Sequence, residues 1–411
     1  MKYVKQVLGN DLRQVPMVVA LLVLLVGFHI ISGGRMLTSS NMQNLISGNA
    51  YVLILAIGML MVIVIGQIDL SVGSVAGFVA MVVAISARDF NLPWYVAVLL
   101  GFVLGLLIGS WQGFWLSKMG IPGFISTLAG MMIFRGAVIW LSGSISVPGP
   151  KELQFFGAGY LPEWGPSWTQ MNNPTLLLGL AAIALFTWSQ FNAYTSSKLG
   201  DAETALPLWP VCVRVGIVGI VIAYVTWLFG SGRPGTSFPI PGLVLVALVS
   251  TYHIVTERTR FGRHIYAVGG NRQAAALSGV NVSRTYFAVM ANMSFLAALA
   301  GVLFLGRATA AGPGDGTNWE LDAISAVFIG GAAVSGGVGT IMATMVGGVL
   351  IAVLNSGLML MGVGADKTQV IKGLVLLLAV AIDALNKQQG RPSIIGKIME
   401  SFRKKEEVTT Q

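Results

Sequence analysis

The sequence predicts an all-α polytopic membrane protein with about twelve transmembrane helices. Apolar residues make up 55% of the 411 residues and charged residues only 10%, and the mean hydropathy is +0.77. This composition is far too apolar for a soluble domain. Several uncharged runs are long enough to cross about 30 Å of hydrocarbon. The 52 glycines suit closely packed membrane helices, because small residues let helix backbones approach each other.

The predicted spans follow one another along nearly the whole chain. Their approximate boundaries are 15–31, 46–66, 70–86, 94–117, 124–142, 175–191, 212–230, 240–256, 286–306, 323–338, 341–361 and 368–386. The first span is interpreted as an anchored helix, because no small-residue cleavage pattern follows it. Two spans, 70–86 and 323–338, are short and rich in glycine, alanine and serine. We expect short or broken helices there, because irregular backbone at membrane depth must be buried in protein.

Lysine and arginine are concentrated in alternate segments between the spans. If the N-terminus is inside, the inside segments contain far more of these residues than the outside segments. Basic residues favour the inner side of a membrane, so both termini are expected to be cytoplasmic. The net charge of +9 is therefore interpreted as a topology signal and not as a nucleic-acid-binding surface.

The most basic inside segment, 256–285, carries five arginines and the single acid Glu257. Within it we expect a flexible turn at Gly269-Gly270, an N-cap at Asn271 and a short alanine-rich helix over 272–278. Gly279 suits the left-handed position after that helix. Two interpretations remain open from the residues alone. The segment is either a surface that another protein grips or a basic loop that only fixes topology.

Two parts of the chain resemble each other, which predicts two inverted repeats at about 46–142 and 286–386. In each repeat an acidic motif precedes a small-residue segment, and a later helix carries matching small and polar residues. Transport pathways often lie at the interface between such repeats. The polar residues of these motifs are therefore candidates for a substrate pathway: Gln67, Asp69, Ser71, Gln112, Glu320, Asp322 and Asn355.

Asp69 and Asp322 have two possible roles. Each is either an N-cap that binds free amides where a helix starts, or a group that serves the pathway directly, as ionisable residues at membrane depth often do. Arg135 and Lys372 lie inside predicted spans and are expected to be paired or to extend towards the membrane surface.

No known catalytic or metal-binding motif stands out in the sequence. The single Cys212 rules out an internal disulfide framework and a cysteine-rich metal site. We find no H-E-x-x-H, G-x-S-x-G or G-x-x-x-x-G-K-[ST] pattern. Neither catalytic residues nor a bound metal or cofactor is expected in this chain. Active transport would need an ion gradient or a separate ATPase.

Four ordered strings resemble the permease family of bacterial monosaccharide ABC importers. They are GQIDLSVGSVAGFVA (66–80), GIPGFISTLAGMMIFRG (120–136), TRFGRHIYAVGGNRQAAALSGVNVSRT (259–285) and ELDAISAVFIGGAAVSGGVGT (320–340). The resemblance implies a permease homodimer in the bacterial inner membrane, a periplasmic sugar-binding protein, and ATPase subunits that bind ATP and Mg. It also implies that the cytoplasmic loop 256–285 docks on the ATPase. The residues carried over to this role are Arg263, Gly269, Gly270, Asn271, Ala274, Ala275, Ser278 and Gly279.

The chain is longer than simpler members of that family, with an inserted loop and extra spans at about 143–240. This longer form resembles the D-xylose and multiple-sugar branch. We interpret 1–411 as a single permease domain that ends in a cytoplasmic tail, 387–411. The binding protein is expected to touch 143–173 and 307–322. An ion-coupled secondary transporter and a membrane-embedded enzyme are the alternatives.

Overall fold

The computed structural model describes residues 15–166, 169–199, 208–232 and 235–387. The basic N-terminal segment 1–14 and the predicted tail beyond 387 lie outside the described residues, as do three short stretches of the inserted region. The chain divides into two compact units, Met1–Gly362 and Val363–Gln411, and each is described by itself.

Each predicted span contains a helix. The first unit contains α1 (Val15–Ile31), α2 (Ser39–Val64), α3 (Val72–Arg88), α4 (Trp94–Ser117), α5 (Gly123–Ser142), β1 (Val147–Pro148), α6 (Leu153–Ala158), α7 (Asn173–Leu199), α8 (Leu208–Gly230), α9 (Ile240–Arg258), α10 (Arg260–Gly270), α11 (Arg272–Leu277), α12 (Val282–Ala308), β2 (Ala310–Ala311), α13 (Trp319–Ile329) and α14 (Ile341–Leu360). The described part of the second unit is one helix, α15 (Ala365–Lys387).

Eight helices in the described part of the chain are long and apolar enough to cross a membrane, namely α2, α4, α5, α7, α8, α9, α12 and α14. Shorter apolar helices form most of α1 and all of α3. The protein is therefore an all-α, multi-pass membrane protein. The predicted span 323–338 is helical only to Ile329, where α13 ends after 11 residues. A glycine-rich turn continues to α14.

The core of the first unit is built on α2 and α12. In α2 every residue from 52 to 64 is buried, and α12 packs against α2, α3 and α4. A helix that is apolar on all sides lies either in a protein core or against lipid, and the burial of α2 places it in the core. Glycines on α4 allow one of these close contacts. A Cβ added at Gly105 would lie 2.6 Å from the Cβ of Ala298, and one added at Gly109 would lie 2.7 Å from the carbonyl oxygen of Met290.

The inserted helices α7 and α8 pack mainly against each other. Most of their surface is exposed, since only 6% of the most apolar stretch of α7 and 17% of that of α8 are buried. The link to the core runs through α2, where the Gln43 side-chain amide donates to the carbonyls of Phe229 at 3.5 Å and Ser237 at 3.1 Å. The inserted spans therefore form an outer edge of the first unit.

The two segments predicted to lie outside, 143–173 and 307–322, are joined in the structure. Strands β1 and β2 pair in an antiparallel register, with Val147 opposite Ala311. The Gly149 amide then donates to the Thr309 carbonyl at 2.9 Å. The two segments are therefore adjacent to each other. The turns after α4 and α14 are alike in one respect, because Gly120 and Gly362 both adopt positive φ angles, 68° and 71°.

Candidate functional site

The N-terminal turns of α3 and α13 meet inside the first unit. A Cβ added at Gly73 would lie 2.5 Å from Oε2 of Glu320, and one added at Gly77 would lie 2.5 Å from the carbonyl oxygen of Asp315. Both positions in α3 therefore require glycine. The segment that contains Asp69 and the segment that contains Glu320, which correspond in the predicted repeats, are therefore adjacent.

Asp69 lies in a buried hydrogen-bonded chain that crosses three helices. Its Oδ1 accepts from the Ser71 amide at 2.8 Å and from the Ser71 hydroxyl at 2.7 Å. The Gln112 side-chain amide donates to the same serine oxygen at 2.6 Å, and Ser294 on α12 donates to Oε1 of Gln112 at 3.5 Å. All four residues are almost completely buried. Three of the predicted pathway residues are thus brought together.

A second set of bonds ties the start of α5 to the same region. Oε1 of Gln67 accepts from the Gly123 amide at 2.8 Å. The Thr127 hydroxyl accepts from the Leu70 amide at 3.1 Å and donates to the Gly123 carbonyl at 2.8 Å. Sequence reasoning missed Thr127, because a lone hydroxyl in an apolar helix more often bonds to its own helix backbone. Its only signal was its place within one of the four strings.

Glu320 pairs with Arg135 across two helices. Nη2 of Arg135 lies 3.5 Å from Oε1 of Glu320, so the pairing predicted for Arg135 is confirmed. Within the described residues, neither Oε2 of Glu320 nor Oδ2 of Asp69 has a hydrogen-bond partner. Buried polar atoms are nearly always bonded. These two oxygens are therefore acceptors that a donor from a ligand or a water can satisfy.

Asp322 and Asn355 occupy different surroundings. Asp322 is buried in the first turn of α13 and interacts electrostatically with the phenol of Tyr51. Beside Asn355, the Ser356 hydroxyl donates at 3.1 Å to Asn41, at the start of α2. The Asp69 chain instead includes Ser294 on α12, and the adjacent Met293 contacts Gly58 of α2, which lies roughly 25 Å along that helix from Asn41. The structure therefore does not bring Asn355 to Gln112.

Neither aspartate occupies the N-cap position of its helix, although Oδ1 of Asp69 does bind a free amide directly before α3. Helix α3 begins after Ser71, so Asp69 bonds to the turn before the helix. The N-cap position of α13 is Asn318, and Asp322 lies inside the helix. A carboxylate so close to a helix N-terminus still benefits from the helix dipole. Within the described ranges, no group of three or more His, Cys, Asp or Glu side chains is arranged to hold a metal ion.

The segment 256–285 forms the end of α9, the two short helices α10 and α11, and the start of α12. Oδ1 of Asn271 accepts from the Ala274 amide at 2.9 Å, which confirms the predicted N-cap. Helix α11 ends at Leu277, and Gly279 adopts a φ of +86°, which confirms the left-handed position. The predicted short helix is thus present almost as the sequence indicated.

Gly269 and Gly270 do not form a flexible turn, because both belong to the last turn of α10. A Cβ added at Gly269 would collide with the Val64 carbonyl and would lie 2.7 Å from the amide nitrogen of Gly337. Glycine is required at this position for close backbone contact and not for flexibility.

The exposed face of α11 does not include Ala275, one of the residues expected to dock on the ATPase. Ala275 is 5% exposed and packs in the core of its own chain, whereas Ala274 and Ala276 are exposed. Leu277 is 91% exposed, and the nearby Arg263 and Arg272 are also exposed. The segment therefore presents an apolar side chain among basic ones, a composition suited to contact with another surface.

Long apolar helices surround a buried polar cluster, and an exposed basic pair of helices lies between two spans. Together these features define a membrane transport protein of the permease class. The family described as "Branched-chain amino acid transport system / permease component" matches residues 41–380. The chain belongs to this family, and the resemblance to a transporter permease is confirmed.

Several bacterial permeases are similar to the chain over most of its length. The xylose transport system permease protein XylH of Haemophilus influenzae is 34% identical over 374 residues, which cover 91% of this chain and 96% of that protein. XylH of Escherichia coli is 35% identical over 80% of this chain and 81% of its own length. The ribose import permease protein RbsC of Escherichia coli is 31% identical over 86% and 87%. No solved structure matches the chain.

Proposed function

We propose that the chain is the permease subunit of an ATP-driven importer that moves a monosaccharide, D-xylose or a closely related pentose or hexose, from periplasm to cytoplasm. The observation that carries this proposal is the similarity to a xylose permease over 96% of that protein's length. The sugar crosses the membrane without chemical change.

The proposal includes three kinds of partner. An ATPase subunit binds ATP and Mg and docks on α10 and α11, where Leu277 is exposed among arginines. A periplasmic sugar-binding protein docks on the surface formed by 143–173 and 307–322, which β1 and β2 join. A second copy of the chain completes a homodimer in the bacterial inner membrane, with both termini of each copy in the cytoplasm.

The pathway is proposed to lie where α3 meets α13, between two inverted repeats in a fold of about twelve spans. Transport sites in such folds lie at the repeat interface and use the N-termini of interrupted helices. The free oxygens of Asp69 and Glu320 match the hydroxyl donors of a sugar. The Asp69 chain is fully buried in this conformation, so sugar access requires the repeats to move apart.

Reconstitution with candidate partners tests the proposal. The chain is co-expressed with an ATPase subunit and a binding protein encoded beside it, purified and inserted into proteoliposomes. We expect the ATPase to co-purify and D-xylose to stimulate ATP hydrolysis and enter the vesicles, with D-ribose as the comparison sugar. Uptake that needs an ion gradient but no ATPase would instead indicate a secondary transporter. Chemical turnover of the sugar by the purified chain alone would indicate an enzyme.

A further inference from the structure

The C-terminal half of α10 contacts two other elements, the last residue of α2 and the turn that separates α13 from α14. The Tyr266 hydroxyl donates to the Gly339 carbonyl at 2.7 Å, in the turn that separates α13 from α14. In the same turn, the Gly337 amide donates to the Val64 carbonyl at 2.8 Å, at the last residue of α2. We call residues 330–340 the glycine turn.

These contacts are rigid because backbone meets backbone. A Cβ added at Gly336 would lie 2.9 Å from the Val64 carbonyl oxygen and 3.2 Å from the Gly269 carbonyl oxygen. One added at Gly337 would lie 2.9 Å from the Cα of Gly270. No flexible side chain separates the three elements here. A displacement of α10 must therefore carry the glycine turn with it or break the hydrogen bond between Tyr266 and Gly339.

Helix α10 is also held firmly along its own length. Ile265 is completely buried and Val268 is 3% exposed, and the helix packs against α2, α9, α11 and α12. Burial, and secondly the nearby Glu257, raise the pKa of Tyr266 above its ordinary value. The phenol therefore stays protonated at neutral pH and remains a donor to Gly339.

Both elements held by α10 lead directly to the buried acids. Three residues beyond Val64, Gln67 bonds to the start of α5, and Asp69 follows it. The glycine turn continues from α13, which carries Glu320 near its start. The end of α10 therefore contacts the segments that bear both halves of the polar cluster.

We propose that the glycine turn and the end of α2 transmit movement of α10 and α11 to the polar cluster, and that Tyr266 is a positioning residue that fastens α10 to this turn. The inference rests on the proposed function, because it assumes that a partner moves α10 and α11. A transmission route needs an energetic test, since proximity alone does not show coupling.

The test is Tyr266→Phe, which removes one hydroxyl and keeps the ring, in the complete importer in proteoliposomes with D-xylose. We expect normal co-purification of the ATPase and normal basal ATP hydrolysis. The number of D-xylose molecules imported per ATP should fall by roughly two- to thirtyfold, the range for losing one coupling contact. A merely structural role would lower hydrolysis and import together.

Tyr252→Phe is the matched control. The Tyr252 hydroxyl is also buried and donates to Asn292 at 2.5 Å, but it lies in α9 and has no bond to the glycine turn. This variant should keep the wild-type number of sugars per ATP. An equal loss in both variants would overturn the inference, because the effect would then follow from any lost tyrosine hydrogen bond.

Hydrogen exchange supplies a second readout. In the wild-type importer, binding of ATP should change the protection of peptides covering 330–340, and in Tyr266→Phe that change should be smaller. If Tyr266→Phe binds the ATPase and imports as many D-xylose molecules per ATP as the wild type, the inference is overturned and the proposed function stands. Failure of the wild-type chain to retain any ATPase would overturn both.

Discussion

Nη2 of Arg135 lies 3.5 Å from Oε1 of Glu320, and this ion pair joins α5 to α13. The Glu320 side chain is 4% exposed, whereas that of Arg135 is 36% exposed. The two helices belong to different predicted repeats. The pair therefore connects the halves of the chain at the place where the proposed pathway lies, and loss of the arginine would leave a buried carboxylate without its cation.

Removing the arginine should destabilise the protein more than removing the whole pair. We expect Arg135→Met to lower the free energy of unfolding by about 1–3 kcal/mol, a value moderated by the partial exposure of the arginine. Arg135→Met combined with Glu320→Gln should recover part of this loss. Thermal unfolding in detergent, followed by tryptophan fluorescence, measures both. A double variant no more stable than Arg135→Met alone would contradict the expected cost of leaving the Glu320 carboxylate without its cation.

The contact between α3 and the 315–320 segment makes a second prediction. Gly73→Ala places a methyl group against the Gly316 carbonyl and Oε2 of Glu320, so it should lower the free energy of unfolding by about 1–3 kcal/mol. Gly136→Ala on α5 is the control, because nothing lies within 4 Å of its added Cβ. There, alanine should stabilise the helix slightly. Equal melting temperatures for both variants would contradict the close contact.

The helices were predictable from the sequence because the length of an uncharged apolar run indicates whether a segment can cross the membrane as a helix. Each of the twelve predicted segments contains a helix, and the expectation of an incomplete helix at 323–338 came from its small residues. The inverted repeats and the number of spans stay predictions. The role of Gly269-Gly270 was mispredicted, because the sequence does not show that Val64 and Gly337 lie against them.

The candidate site was predictable only in part. Repeat comparison selected Asp69, Ser71 and Gln112, and the structure joins them by hydrogen bonds. Asn355 was selected by the same comparison, yet it lies near the opposite end of α2. A repeat pattern identifies equivalent positions but not which of them meet, because contacts between helices depend on tertiary packing. The links through Thr127 and Tyr266 were missed for the same reason.

Topology is tested by cysteine labelling in a background with the exposed Cys212 replaced by serine. Single cysteines near Lys151 and near Asp315 should react with a membrane-impermeant maleimide added outside the cell. A cysteine near Arg272 should react only after the membrane is opened. External labelling near Arg272 would reverse the proposed orientation.

Asp322 is tested by Asp322→Asn. Because Asp322 lies inside α13 and is not its N-cap, the change tests the carboxylate without removing a cap. We expect D-xylose uptake to fall at least roughly tenfold, a loss typical of removing one charged contact, while protein level and ATPase association stay normal. Asp89→Asn is the control, since Asp89 is exposed and bonds to its neighbour Arg88. Normal uptake by the Asp322 variant would exclude a pathway role for its charge.

The coupling role of α11 is tested at its exposed side chains and at its end. Ala275→Trp is unsuitable, because Ala275 is buried in its own chain. Ala276→Trp instead enlarges an exposed position. Gly279→Val forces a β-branched residue to a φ of +86°, at a cost of roughly 1–2 kcal/mol. Nothing lies within 4 Å of a Cβ added at Gly279, so backbone strain is the only local penalty.

Both variants should insert into the membrane at normal levels but lose ATPase co-purification and D-xylose uptake, because the altered α11 no longer fits the partner. Ala223→Trp, on the exposed side of α8, is the matched control and should retain both properties. Its position on the outer edge of the first unit places the added ring away from α10 and α11. Wild-type uptake by Ala276→Trp and Gly279→Val, with the ATPase still bound, would show that α11 is not the docking element.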